Sequence, residues 1–172
     1  MSFVRSKSDT IPVAMREVPI SGGFVALVDD ADYSVVSQFK WYVNPRRRTN
    51  YALRFMRKKT GDATSKRGEY LHHLLIGHVQ VDHRDGNGLN NQRENLRTAS
   101  GTQNSANRRK MTFPTASKFK GVHLSRKRWR SRVRLSGKFI ECGTFGTEEE
   151  AARAYDAMAR KVYGEFARTN FP

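Results

Sequence analysis

Between Leu71 and Asn107 the chain reads LHHLLIGHVQVDHRDGNGLNNQRENLRTASGTQNSAN, and four of its five histidines fall there among closely spaced Asp and Asn residues. Asp82 and Asn104 offer a carboxylate and an amide oxygen. These are hard donors suited to Mg²⁺, which keeps several waters and takes one or two protein oxygens together with substrate phosphates. Histidine titrates near neutrality, so His83 can accept a proton from an attacking water. A cation held by the first pair would stabilise charge building on a phosphate and its leaving oxygen, and the three residues together would hydrolyse a phosphodiester.

Such residues act together only if the backbone delivers them. Val79 and Val81 alternate with polar neighbours and predict a short strand, Asp85-Gly86-Asn87-Gly88 is dense in turn formers, and Asn95 to Thr98 can pair back as a second strand. Ser100 followed by Gln103 has the spacing of a capping box, predicting a helix from there to about Arg109 with Asn104 in its first turn. In this strand-loop-strand-helix unit Asp82 and His83 are neighbours on a strand and point to opposite sides. One can hold a metal while the other faces the reacting group.

Two rival metal readings fit less well, and the second is discarded. His72, His73, His78 and His83 do not have the spacing of a familiar zinc module, and three of them sit beside apolar residues. DHRDGNG is not an EF-hand loop, because Arg84 and Gly86 stand where oxygen ligands are needed. The single cysteine, Cys142, excludes an internal disulfide and a cysteine-rich structural zinc.

LHHLLIG, VDHRDG, NNQRENLR and TQNSAN resemble, in order and spacing, the HNH homing endonucleases of phages and introns over roughly residues 67 to 108. The resemblance implies a ββα-metal nuclease core, with Asp82 and Asn104 as ligands of a divalent ion, Mg²⁺ first and Mn²⁺ second, and His83 as general base. It implies that Asn95 braces the loop and helps orient the base. His72 matches the leading His of the family's LH block, and His73 stands where many relatives have Arg. Products would carry 5′-phosphate and 3′-hydroxyl ends.

Composition fixes the partner's sign. Lys and Arg number 32 against 16 Asp and Glu, a formal charge of +16, while 37% hydrophobic residues are enough to bury cores, so the chain is not a basic disordered tail. A polyanion is the expected partner. The sequence lacks a long apolar run, a basic amphipathic helix with a broad apolar face, and the apolar core of a signal peptide, so no membrane role is expected. A soluble, cytoplasmic protein is expected, in a bacterial host if a phage encodes it.

Upstream, residues 1 to about 15 are basic and aperiodic. Phe24 to Val28 predicts a strand, Asp29 to Asp32 a helix start leading to Phe39, and Trp41 to Val43 and Tyr51 to Phe55 two further strands, together a small β-rich platform with Trp41 in its core. Arg46 to Arg48 and Arg57-Lys58-Lys59 are solvated charges able to grip phosphates. Residues 109–117 carry a Pro and small polar residues and predict a linker.

The C-terminal piece is more legible. Arg128, Arg130, Arg132 and Arg134 alternate with Trp129, Ser131, Val133 and Leu135, so one strand carries a basic and a mostly apolar face. A turn at Ser136-Gly137 sets Arg134 opposite Phe139, Val133 opposite Ile140, and Arg132 opposite Glu141 as its cross-strand acid. Thr147 with Glu150 caps a helix whose stripe Ala151, Tyr155, Met158 and Val162 covers the apolar face until Gly164. Cys142 falls on the inward face. KGVHLSRKRWRSRVR, CGTFGTEEEAARAYD and GEFARTNFP resemble the DNA-binding domain of plant ethylene-response factors, the APETALA-two type, over residues 118 to 172. That resemblance implies a three-stranded sheet on one helix and DNA contacts at Lys120, His123, Arg132, Arg134, Glu141 and Thr144, to which the alternation adds Arg128 and Arg130. The chain departs from the plant pattern at Arg132 and Glu141, so a target sequence does not transfer.

The expected fold is therefore α+β: an HNH nuclease domain with its β-rich platform over residues 1–108, a linker over 109–117, and a DNA-binding domain over 118–172. Double-stranded DNA is the expected partner, bound by a monomer in preference to a dimer. One metal and one base per chain make a nick the simplest outcome. The alternative is a DNA-binding regulatory or architectural protein whose HNH-like fold is inactive.

Overall fold

The computed structural model describes residues 14–57, 66–110 and 115–172. The N-terminal arm to residue 13, Lys58 and Lys59, and linker residues 111–114 lie outside the described residues. The fold is mixed α/β: the described residues form four small antiparallel sheets and four α-helices. They divide into two compact units, 14–75 with 88–93, and 76–87 with 94–172.

In the first unit β1 (Met15–Pro19) pairs antiparallel with β2 (Val25–Asp29), and α1 (Asp30–Val36) follows at once. Asp30 and Asp32 lie in the first turn of α1, where the helix dipole favours negative charge. The β-rich platform is a three-stranded sheet, β3 (Tyr42–Pro45), β4 (Asn50–Arg57) and β5 (Lys66–Tyr70) in that order. Helix α2 (Leu71–Ile76) comes next, anchored by Leu71, which is 0% exposed; burying a side chain of that size contributes about 1.5–3 kcal/mol. Trp41 sits in this core with Val18, Ala26, Val28, Val36 and Ala52, and its indole N–H donates to the Val36 carbonyl at 2.9 Å. Residues 88–93 are stitched to β2: the Leu27 N–H donates to the Leu89 carbonyl, the Asn91 N–H to the Leu27 carbonyl, and Arg93 grips Asp32 with two bonds of 2.7 and 2.8 Å.

In the second unit β6 (Val81–His83) and β7 (Leu96–Thr98) form the expected ribbon, with Asp82 opposite Arg97 and His83 opposite Leu96. The strand starts at Val81, and Val79 lies outside it, 40% exposed. Helix α3 (Gly101–Ala106) carries both bonds of the expected Ser100/Gln103 capping box, but it ends three residues before the expected Arg109, with Asn107 as its C-cap. The reason is visible in the packing: the Asn107 side chain turns back onto the ribbon instead of continuing an exposed basic helix.

The second sheet of this unit has the order β10-β9-β8, from β8 (Val122–Ser125), β9 (Arg128–Leu135) and β10 (Lys138–Phe145), with α4 (Glu148–Tyr163) on its inner face. The predicted register holds at Arg134 with Phe139, Val133 with Ile140, and Arg132 with Glu141. A bulge then shifts it between Glu141 and Gly143. Cys142 packs against the Val133, Tyr155 and Ala159 cluster, and Thr144 emerges opposite Arg130. Strict alternation from Ile140 would have turned Thr144 inward; the extra residue returns it to the outer face. Ser117, placed in the linker by the sequence, is 2% exposed and donates to Glu148 at 2.6 Å, so it packs as part of this domain.

Gly121 shows how tightly helix and sheet approach. Its φ is +76°, and a Cβ there would lie 2.0 Å from Tyr155 Cδ2. Gly121→Ala is expected to destabilise the protein by at least about 2 kcal/mol, combining left-handed strain with overpacking. Gly137 has φ +84° with nothing within 4 Å of its Cβ position, and Gly137→Ala should cost only about 1–2 kcal/mol. Thermal unfolding followed by circular dichroism separates the two, and equal midpoints would contradict the packing argument.

Candidate active site and nucleic-acid interface

Asp82 is 6% exposed on β6, and Arg97 stands directly across the ribbon at 9%. Nε and Nη2 of Arg97 donate to Asp82 Oδ2 at 2.9 and 2.7 Å. The Asn107 amide reaches both carboxylate oxygens, at 3.1 and 3.0 Å, and also the His83 carbonyl at 2.8 Å. The remaining Nη1 of Arg97 donates to the Glu165 carbonyl at 2.8 Å, and the guanidinium lies 3.9 Å over the Phe166 ring. Sequence reasoning missed Arg97 and Asn107. Arg97 follows only from the ribbon register, whereas Asn107 was signalled by its i, i+3 spacing from Asn104, which puts both on one helix face.

Asn104 donates its amide to the Val81 carbonyl at 3.1 Å, one residue from Asp82. Its own carbonyl oxygen accepts no hydrogen bond among the described residues. Asp82 Oδ1 accepts a single N–H, whereas three converge on Oδ2. Asp82 Oδ1 and the Asn104 oxygen are thus hard donors with acceptor capacity left, and they suit a hard divalent cation; Oδ2 does not. Among the described residues no cluster of three or more His, Cys, Asp or Glu side chains forms a metal cage.

His83 is 5% exposed on the ribbon face opposite Asp82. Asn95 clasps the start of the following loop: its oxygen accepts from the Asp85 N–H at 3.0 Å and its amide donates to the Asp85 carboxylate at 3.1 Å. His72 belongs to the first unit, where its ring stacks on Tyr70 at 5.2 Å with His73 edge-on at 4.5 Å.

This chain is 32% identical over 154 residues to an uncharacterized HNH endonuclease of Acanthamoeba polyphaga mimivirus, an alignment covering 86% of the chain and 75% of the relative. The chain belongs to the HNH endonuclease family. No family model matches it. This HNH protein is also 50% identical over 60 residues to the AP2-like ethylene-responsive transcription factor ANT of Arabidopsis thaliana, and 49% identical over 59 residues to the APETALA2-like protein 2 of Oryza sativa subsp. indica. Those matches cover 33% of this chain but only 11% and 14% of the plant proteins. They support an AP2-type domain joined to the HNH portion.

The HNH protein's three-stranded sheet turns one basic face away from α4. By register His123, Arg130 and Thr144 form one row across it, Arg132 and Glu141 another, and Arg134 and Phe139 a third, with Arg128 at the start of β9. Glu141 does not pair with Arg132 as expected. It reaches diagonally to Arg130 at 3.1 Å, while Arg132 lies 3.8 Å over the Phe139 ring, because a flat guanidinium covers an exposed aromatic face. Burial, then the charges of Arg132 and Arg130, push the His123 imidazole below its ordinary pKa. Lys120 lies apart from this face: its ammonium donates to the Ala106 carbonyl and sits 5.9 Å from the Tyr155 ring.

Proposed function

We propose that the protein is a divalent-metal-dependent DNA endonuclease of the homing or nicking type. The observation that carries this reading is the β6-β7-α3 unit in a chain of the HNH family: Asp82 and His83 are adjacent on one strand, and Asn104 follows in the first turn of a capped helix. This unit reads as the ββα-metal core. Asp82 and Asn104 would hold the ion, Mg²⁺ or second Mn²⁺, which when bound supplies positive charge to the scissile phosphate and its leaving oxygen.

His83 accepts the proton of a water whose oxygen bonds to phosphorus; the bond to the 3′-oxygen breaks and that oxygen takes a proton from solvent, leaving 5′-phosphate and 3′-hydroxyl ends. Asn95 holds the loop beyond His83 in place, and His72 stands as the family's leading histidine. The basic face of the 118–172 domain, with His123, Arg128, Arg130, Arg132, Arg134, Glu141 and Thr144, grips duplex DNA, where Arg pairs with guanine edges and phosphates.

One observation favours a second reading, a DNA-binding regulatory protein with an inactive HNH-like fold: both oxygens of Asp82 already accept protein N–H donors. Supercoiled plasmid separates the two readings. An endonuclease converts it to open circle in Mg²⁺ and stops in EDTA. A protein that retards the plasmid in a gel yet leaves it supercoiled in both Mg²⁺ and Mn²⁺ is the regulator. Among the described residues no helix is long and apolar enough to cross a membrane.

A further inference from the structure

Outside the ribbon and the arginine face, the second unit holds a cleft of about 370 Å³. Five cations line it, Arg109, Lys110, Lys118, Lys120 and Arg168, and no acidic side chain does. Like charges gathered in a concavity repel one another and focus a positive field, an arrangement whose natural complement is a polyanion.

Its walls are fixed rather than loose. Asp156, 2% exposed, accepts from the Asn170 backbone and side-chain N–H groups at 2.8 and 3.0 Å and from the Phe171 N–H at 2.9 Å. Asn170 in turn accepts from the Lys120 N–H at 2.7 Å and donates to the Lys120 carbonyl at 3.1 Å. The tail carrying Arg168 is thereby locked against the segment carrying Lys118 and Lys120. At the other end Arg109 donates to the Asp85 carbonyl at 3.2 Å, tying the cleft to the loop that follows His83.

Among the described residues the Lys110 and Arg168 side chains make neither an ion pair nor a hydrogen bond, and Lys118 comes only within 3.8 Å of exposed Glu149. Lys110 and Arg168 therefore bring to the cleft charge that no described side chain neutralises.

We propose that this cleft is a backbone-phosphate subsite for duplex DNA, separate from the arginine face of the sheet. It rests on the DNA-binding reading above and adds to it a second surface, one that carries the phosphate strand alongside the loop after His83. Diester phosphates are the class it fits, because all five cationic side chains are donors, the complement of phosphate oxygens.

The probe is a mixed-sequence duplex in a fluorescence-anisotropy titration at several salt concentrations. Each phosphate contact contributes about 0.9 to the slope of log Kobs against log salt, so Lys110→Gln with Arg168→Gln should make the slope shallower by about 1.8. The charge-keeping pair Lys110→Arg with Arg168→Lys should retain the parental slope, which separates charge from folding. A parental slope in the Gln pair, while Arg130→Gln with Arg132→Gln lowers it, overturns the cleft and leaves the DNA reading standing. A parent chain that fails to bind the duplex at any salt overturns both.

Discussion

His83→Ala is expected to lower DNA cleavage roughly 10²–10⁴-fold, the usual contribution of a positioned general base, with duplex affinity unchanged. The ribbon is the reason the two effects should part. His83 lies on the face opposite Asp82, so its removal leaves the Asp82, Arg97 and Asn107 cluster intact. The arginine face belongs to a different sheet, so phosphate gripping there is untouched. Because His83 is 5% exposed, the alanine leaves a gap, and His83→Gln, which fills the volume but accepts no proton at neutral pH, serves as the second variant. Cleavage measured at saturating DNA in Mg²⁺ checks both. A His83→Ala chain that cuts as fast as the parent removes His83 from the base role, and a chain that loses binding and cleavage together assigns it to folding.

Local signals carried much of the fold into the sequence, and the exceptions have definite causes. Both capping boxes, the β9 alternation and the β9–β10 register were readable because each depends on residues a few positions apart, and the Ser136-Gly137 turn was announced by its glycine. The β8–β9 turn was not: Arg126 and Lys127 adopt φ of 46° and 63°, left-handed positions with neither Gly nor Asn to announce them. Strand β5 was missed because KRGEY has no apolar alternation; its inward residue is Glu69, 7% exposed and paired with Arg54. At the candidate site, Asp82, His83 and Asn104 were legible by type and spacing. Arg97 was hidden because the long segment between the ribbon strands leaves their register open, and a one-residue slip would turn Arg97 to the other face.

That register carries a large energetic consequence. Arg97→Ala is expected to lower the unfolding free energy by roughly 3–5 kcal/mol, since it strands the Asp82 carboxylate at 6% exposure without its countercharge. For a chain of this size the melting midpoint should fall by roughly 6–20 °C. The loss exceeds that of one ion pair because the same guanidinium bonds the Glu165 carbonyl and covers the Phe166 ring, joining the ribbon to the turn after α4. Glu165→Ala provides the contrast: its side chain is 56% exposed, and its removal should cost no more than about 1 kcal/mol. Asp82→Asn in the Arg97→Ala background should restore part of the loss, because the neutral amide no longer needs a buried partner. A coupling of about 0.5–3 kcal/mol is expected from the double-mutant cycle. Strictly additive losses would mean that Arg97 acts through its bond to the Glu165 carbonyl and its packing on Phe166 alone, and that the carboxylate of Asp82 is solvated well enough to stand without it.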